Sequence, residues 1–193
     1  MDAQPQAIRL TGALRAARRD AALSPRAERA AVRGALRGDA AALDVLFRAH
    51  WPAAYRAAWL IVRDSHAAED LAQEGFVAAI RALDRFDRSR PFGPWLRTIV
   101  ARRAIDACRA RALRREVAPG PLEHLAAPTA AAVADDLLAA VAALPDEQRI
   151  VVVLRHLLEL TPGEIAALTG TPRGTVNSRL RRGLDALARE VQR

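Results

Sequence analysis

The sequence predicts an all-α protein: two small helical domains joined by a flexible linker. Three observations carry that expectation. Hydrophobic residues make up 51% of the 193 positions and aromatics only 4%, so alanine and leucine dominate the apolar content and favour helix over strand. Apolar positions recur at steps of three and four through most of the chain, the period of an amphipathic helix. Residues 117–134, "VAPGPLEHLAAPTAAAVA", break the rhythm: eleven of these 18 positions are Ala, Pro or Gly, and three prolines preclude one continuous helix.

Residues 1–38 read as a basic arm. Arg9, Arg15, Arg18, Arg19, Arg26, Arg29, Arg33 and Arg37 face Asp2, Asp20 and Glu28, with Asp39 just beyond, and apolar residues larger than alanine are sparse. Such a segment has little to bury, so it is expected to be flexible and at best partly helical. The first domain spans 39–116. Leu43, Phe47, Tyr55, Ala58 and Val62 fall near one helical face, and Pro52 predicts a kink or a local restart. Asp64 and Ser65 offer an N-cap to a second helix, whose apolar stripe is Leu71, Phe76, Ile80 and Leu83. The stretch "DRFDRSRPFGP" (84–94) reads as a loop. A third helix starts near Pro94 and turns Trp95, Leu96, Ile99, Val100, Ala104 and Cys108 inward. Trp51 and Trp59 are expected in the core with Trp95.

After the linker at 117–134, the second domain covers 135–193. Leu137, Leu138, Val141 and Leu144 mark one helix. Pro145 opens the next, whose Ile150, Val151, Val153, Leu154, Leu157 and Leu158 make it apolar nearly all round and therefore central. Thr161, Pro162 and Glu164 form a capping-box signature, and Gly170 ends that helix. Thr171 and Pro172 repeat the cap-plus-proline device. Val176, Leu180, Leu184, Leu187 and Val191 then recur at steps of three and four as a packing face.

Charge adds a functional direction. The formal net charge is +8 with a pI near 11.3, and all 30 basic residues are arginine. Arginine's planar fork suits phosphate, so a polyanionic partner is expected. One cysteine, Cys108, rules out an intrachain disulfide. His50, His66, His124 and His156 are scattered without metal-ligand spacing, so no metal and no cofactor is expected. No pairing of histidine, carboxylate or nucleophile suggests catalysis, so the chain is not expected to be an enzyme. There is no long apolar run for a signal peptide or membrane insertion, and a cytoplasmic location is expected by default.

Two short helices around a glycine turn, residues 161–190, match helix-turn-helix geometry. The second such helix enters the major groove. Asn177, Ser178 and Arg181 suit base edges there, since Asn pairs with adenine and Arg with guanine. Arg173, Arg179 and Arg182 suit phosphates. Residues 171–189 hold five arginines and one acid, whereas 117–193 as a whole hold eight arginines and nine acids. The positive charge is thus local to one helix.

The first domain carries two further charged surfaces. Arg97, Arg102, Arg103, Arg109, Arg111, Arg114 and Arg115 line the third helix against one internal acid, Asp106. The adjoining loop mixes Arg85, Arg88 and Arg90 with Phe86 and Phe92. That mixture suits single-stranded nucleic acid, although core packing is the commoner fate of the two phenylalanines. Glu69, Asp70, Gln73 and Glu74 give the preceding helix the opposite polarity. DNA would repel that face, so it suits a protein partner. Acids complementing the helix dipole also account for Glu69 and Asp70, but not for Gln73.

Together these segments resemble the sigma-70 family, specifically the two-domain sigma factors of the extracytoplasmic-function (ECF) group. The resemblance rests on "LFRAHWPAAYRAAWLIVRDSHAAEDLAQEGFVAAIRALDRFD", "PFGPWLRTIVARRAIDACRAR", "LPDEQRIVVVLRHLLELTPGEIAALTG" and "GTVNSRLRRGLDALARE", in that order. It implies a protein that binds core RNA polymerase and directs promoter-specific initiation, its partners being the polymerase clamp helices and flap and promoter DNA, both duplex and single-stranded. In the family's terms the first domain is sigma region 2 and the second is sigma region 4, a helix-turn-helix, and the linker would thread toward the RNA exit path. Glu69, Asp70, Gln73 and Glu74 become polymerase contacts. Arg85, Phe86, Arg88, Arg90, Phe92, Arg97, Arg102 and Arg103 become minus-ten contacts. Arg173, Gly174, Thr175, Asn177, Ser178, Arg181 and Arg182 become minus-35 contacts. The resemblance also implies an anti-sigma factor as regulatory partner. Gly75, Arg102, Arg173 and Asn177 depart from the family's usual residues, and the arm has no counterpart in its minimal pattern. Two other readings account for less of the sequence. A stand-alone helix-turn-helix regulator leaves the acidic helix beside a basic one without a purpose. A recombinase-type enzyme needs a nucleophile, and the sole tyrosine, Tyr55, lies in a core-like stripe.

Overall fold

A computed structural model describes residues 23–117 and 136–190. They fall in two compact units, all helical among the described residues. Residues 118–134 of the expected linker and 1–22 of the expected arm lie outside the described residues.

In the first unit, α1 (Pro25–Ala35) corrects the expected arm. Ser24 accepts a hydrogen bond from the Ala27 N–H at 3.2 Å and proline occupies the first turn, so the helix begins on a cap. Ala31, Val32, Gly34 and Ala35 are buried against α2 (Ala40–Val62). The burying residues are small, which is why a search for large apolar side chains passes over this helix. Gly34 permits the contact, since a Cβ there would stand 2.6 Å from that of Ala42.

Asp39 caps α2 by accepting from the Ala41 and Ala42 N–H groups. The helix runs through Pro52 without the expected restart. Pro52 lies on the exposed side, where water can satisfy the carbonyl that its missing N–H leaves behind. Leu46, Ala54, Ala57, Ala58, Leu60 and Ile61 form the buried face. Phe47 departs from its expected place: it is 40% exposed and stacks on Trp51 at 4.9 Å.

Asp64 caps α3 (Ser65–Arg81) through the Ala67 N–H, as the sequence suggests. Its buried stripe is smaller than the one expected: Ala68, Ala72, Gly75, Phe76 and Ala79, with Leu71 and Ile80 only half-buried. A short 3-10 turn, Leu83–Arg85, leads to the loop. The next helix, α4 (Phe92–Val117), starts two residues before Pro94. Gly75 now has a physical account. A Cβ there would collide with the Val100 side chain and sit 3.3 Å from its Cα, so glycine lets α3 and α4 pack backbone to backbone. The three tryptophans are half-buried, not enclosed. Cys108 is half-buried too, its thiol donating to the Ile61 carbonyl at 3.7 Å.

The second unit places α6 (Asp146–His156) at the centre of α5 (Asp136–Ala143), α7 (Pro162–Thr169) and α8 (Arg173–Glu190). Val151, Val152, Val153 and Leu154 of α6 are buried, as its all-round apolar character predicts. Arg149 is buried with them: it donates to the Leu144 carbonyl at 2.9 Å and pairs with Asp146 at 2.9 Å, so its charge is partnered at the helix start.

Candidate functional site

The helix-turn-helix is built by its caps. Thr161 accepts from the Glu164 N–H at 3.3 Å while the Glu164 carboxylate accepts from the Thr161 N–H at 2.7 Å, closing both halves of the capping box. Gly170 then turns left-handed, with φ of 61°, which ends α7 after two turns. The Thr171 hydroxyl donates to the Thr169 carbonyl instead of capping α8, so the second cap-plus-proline device is only half realised. Instead the Pro172 carbonyl accepts from the Val176 N–H and starts the helix.

Val176, Leu180, Gly183 and Leu187 bury one face of α8; Leu184 is half-buried, and Val191 lies outside the described residues. Gly183 sets the approach to α6: a Cβ there would lie 2.8 Å from the Val152 methyl. Arg179 pairs with Glu147 of α6 at 2.7 Å. This arginine, expected at a phosphate, is therefore engaged in fixing α8 to α6. The face left in solvent holds Arg173, Gly174, Asn177, Arg181 and Arg182. Thr175 and Ser178 sit at its edge, half-buried, and the Ser178 hydroxyl donates to the Thr175 carbonyl at 2.9 Å. That face can present guanidinium forks and one amide to a groove, with no acid nearer than Asp185 along the helix.

In the first unit, Glu69, Asp70, Gln73 and Glu74 are all exposed on α3. Asp70, Gln73, Glu74, Val77, Arg81 and Arg103 line a cleft of about 740 Å³ between α3 and α4. Val77, 48% exposed, supplies an apolar spot beside the acids. Glu74 and Arg103 meet at 2.9 Å, so a residue expected at a protein partner and one expected at DNA join across the cleft.

The loop separates its charged residues from its aromatic ones. Arg85, Arg88 and Arg90 are exposed, Arg90 pairing with Asp87 at 3.4 Å. Phe86 and Phe92 are buried, at 6% and 0% exposure. They meet edge-on at 5.8 Å, and Phe86 lies 4.7 Å from the Trp95 ring. This corrects their assignment as nucleic-acid contacts: enclosed rings offer no free face to a base, and hydrophobic burial wins over display. On α4, Arg102 is exposed and Arg97 and Arg103 are half-buried; the side chains of Arg114 and Arg115 lie outside the described residues.

One contact has no sequence signal at all. Glu28 of α1 accepts from the Phe92 N–H at 3.0 Å, across 64 positions of chain, and so caps α4 from another helix. Its other oxygen lies 3.1 Å from His50 Nε2, at ion-pair distance though angled away from a good hydrogen bond. Burial pushes the Glu28 carboxyl up, but contact with His50 and the Phe92 and Gly93 N–H groups outweighs it and holds the carboxyl below its ordinary value. Among the described residues there is no cluster of potential metal ligands, and no helix is long and apolar enough to cross a membrane.

Comparison with known proteins gives two domain matches. Residues 46–114 match the model of sigma-70 region 2, and residues 134–187 match that of sigma-70 region 4. The ECF RNA polymerase sigma factor SigW of Bacillus subtilis is 30% identical over 155 residues, covering 72% of this chain and 82% of that protein. The RNA polymerase sigma factor CarQ of Myxococcus xanthus is 35% identical over 153 residues, covering 76% and 87%. Among solved structures, CnrH in complex with the cytosolic domain of CnrY is 28% identical with a TM-score of 0.54, covering 86% of this chain and 97% of that one. The sigma factor RpoE of Bartonella quintana, in complex with the anti-sigma factor NepR, shares the fold at 24% identity and a TM-score of 0.59, covering 77% and 96%.

Proposed function

The chain belongs to the ECF group of the sigma-70 family, and we propose that it divides promoter recognition between its two helical domains. It is a sigma factor, directing core RNA polymerase to begin transcription at promoters. In the division proposed, α8 lies in the major groove at the minus-35 element. Asn177 and Arg181 read base edges, with Ser178 and Thr175 at the margin, and Arg173, Arg182 and the Gly174 backbone hold phosphates. Arg85, Arg88, Arg90, Arg97, Arg102 and Arg103 hold the separated strand at the minus-ten element. Glu69, Asp70, Gln73 and Glu74 bind the polymerase clamp helices.

The observation that carries this reading is the exposed acid face of α3, set against the exposed arginines of α1, α4 and α8. A protein that met only DNA would gain nothing from it, since like charge repels the phosphates. The factor performs no covalent chemistry. Promoter choice and strand separation are driven by differential binding energy, in the cytoplasm where the polymerase works, with an anti-sigma factor as the regulatory partner. The test is a run-off transcription assay with purified core polymerase. Promoter-specific transcripts that depend on the added chain are expected. A chain that fails to bind core polymerase contradicts the reading.

A further inference from the structure

Between α1 and the loop after α3 lies a groove of about 260 Å³ lined by Arg29, Arg33, Arg88, Arg90, Glu28 and Phe86. We infer that this groove holds phosphates of the separated promoter strand, so that Arg29 and Arg33 of α1 extend the minus-ten surface. The inference rests on the minus-ten reading of Arg88 and Arg90, and it gives a role to a helix that none of the residues assigned to DNA or polymerase includes.

Four guanidinium groups meet one carboxylate in the lining. That carboxylate, Glu28, is committed to His50 and to the start of α4. Arg90 shares Asp87, and no salt bridge ties Arg29, Arg33 or Arg88 to a carboxylate among the described residues. Arg29 and Arg33 stand four residues apart, so their side chains share one face of α1, an arrangement that costs repulsion unless an anion fills the space between them. They do not drift apart, because Ala31 and Ala35 bury the opposite side of α1 and Glu28 pins it to α4. Phe86 closes the floor of the groove and offers no face for stacking, so a strand would be held here by its backbone and not by its bases. The site is therefore one for phosphodiester groups, indifferent to sequence.

The experiment uses the full chain bound to core polymerase. The probe is a pre-melted promoter fragment selected from a random library by the wild-type holoenzyme. The R29Q/R33Q variant keeps the aliphatic stems and loses both charges. It is expected to weaken binding and to make the dependence of log affinity on log salt shallower by about 1.4, the share of two single-strand phosphates. R29K/R33K should stay near wild type. If the double variant unfolds, R33Q alone reads the same effect at about half the size. An unchanged slope for R29Q/R33Q, with R88Q/R90Q still shifting it, overturns the inference and leaves the minus-ten reading intact. No shift from either pair overturns both. An unchanged slope with weakened affinity for core polymerase makes the groove a protein contact and also overturns the inference.

Discussion

The two charged helices α8 and α4 are both arginine-rich, yet they hold their arginines in different ways. On α8, Arg173, Asn177 and Arg181 stand clear in solvent, and Arg179 ties the helix to its own small core. On α4 some arginines are paired: Arg103 bridges to α3 and Arg109 pairs with Asp106 of the same helix at 3.3 Å, while the start of the helix is capped by Glu28 from α1. A rigid helix with a free face suits reading a duplex whose shape is already made. A surface assembled from several elements suits a strand that must be held after it leaves the duplex, because each element can present a phosphate contact along an irregular path.

The comparison breaks most readily at Gly75. Gly75→Leu forces a side chain into Val100 and should destabilise the first unit by about 3 kcal/mol or more, with the second unit's unfolding transition unmoved in urea. Equal movement of both transitions would contradict this. Next in size is Arg181→Ala. It should lower discrimination among minus-35 sequences by ~1–3 kcal/mol, whereas Arg182→Ala weakens all sequences alike and flattens the salt dependence. Equal losses on every sequence for Arg181→Ala would strip it of its reading role.

Glu28→Gln should cost about 1–2 kcal/mol, since it replaces a charged acceptor at the α4 terminus by a neutral one. Its sign with pH is fixed. The folded carboxyl lies below its ordinary value of 4.5, so its contribution is present above that pH and fades as pH falls through the folded value. The stability gap between wild type and Glu28→Gln therefore narrows on acidification; a gap that widens would reverse the assigned role. The smallest effect is expected for Glu147→Ala. Glu147 is 69% exposed, so stability should fall by about 0.5 kcal/mol or less. Freed Arg179 should steepen the salt dependence of duplex binding by at most about 0.9, one phosphate's worth.

Helices set by local rules were legible in the sequence, and contacts between distant segments were not. The capping box at Thr161, the central α6 and the buried face of α8 all follow from periodicity and cap chemistry within a few residues. The exposed faces of α3 and α8 were legible for the same reason, because a helix with one apolar stripe leaves the rest to solvent. The docking of α1 was not, since it rests on small residues, Gly34 among them, and on a hydrogen bond spanning 64 positions. Phe86 and Phe92 could be read as displayed or enclosed from sequence alone. Only the ring contacts with Trp95 and His50 decide for enclosure. Helix propensity alone makes Gly75 a weak point in α3, because it counts the single helix. The cost is offset by the close approach of α4, which propensity cannot register.

The division between a polymerase face and a DNA face is tested most directly by the affinity of the full chain for core polymerase, measured for wild type, E69A/D70A/Q73A and Arg181→Ala. The three truncated side chains are exposed and leave the Glu74–Arg103 bridge in place. The triple variant should bind core polymerase on the order of ten-fold more weakly or worse, and Arg181→Ala should bind it as wild type does. Wild-type affinity in the triple variant would contradict the assignment of α3 to the polymerase.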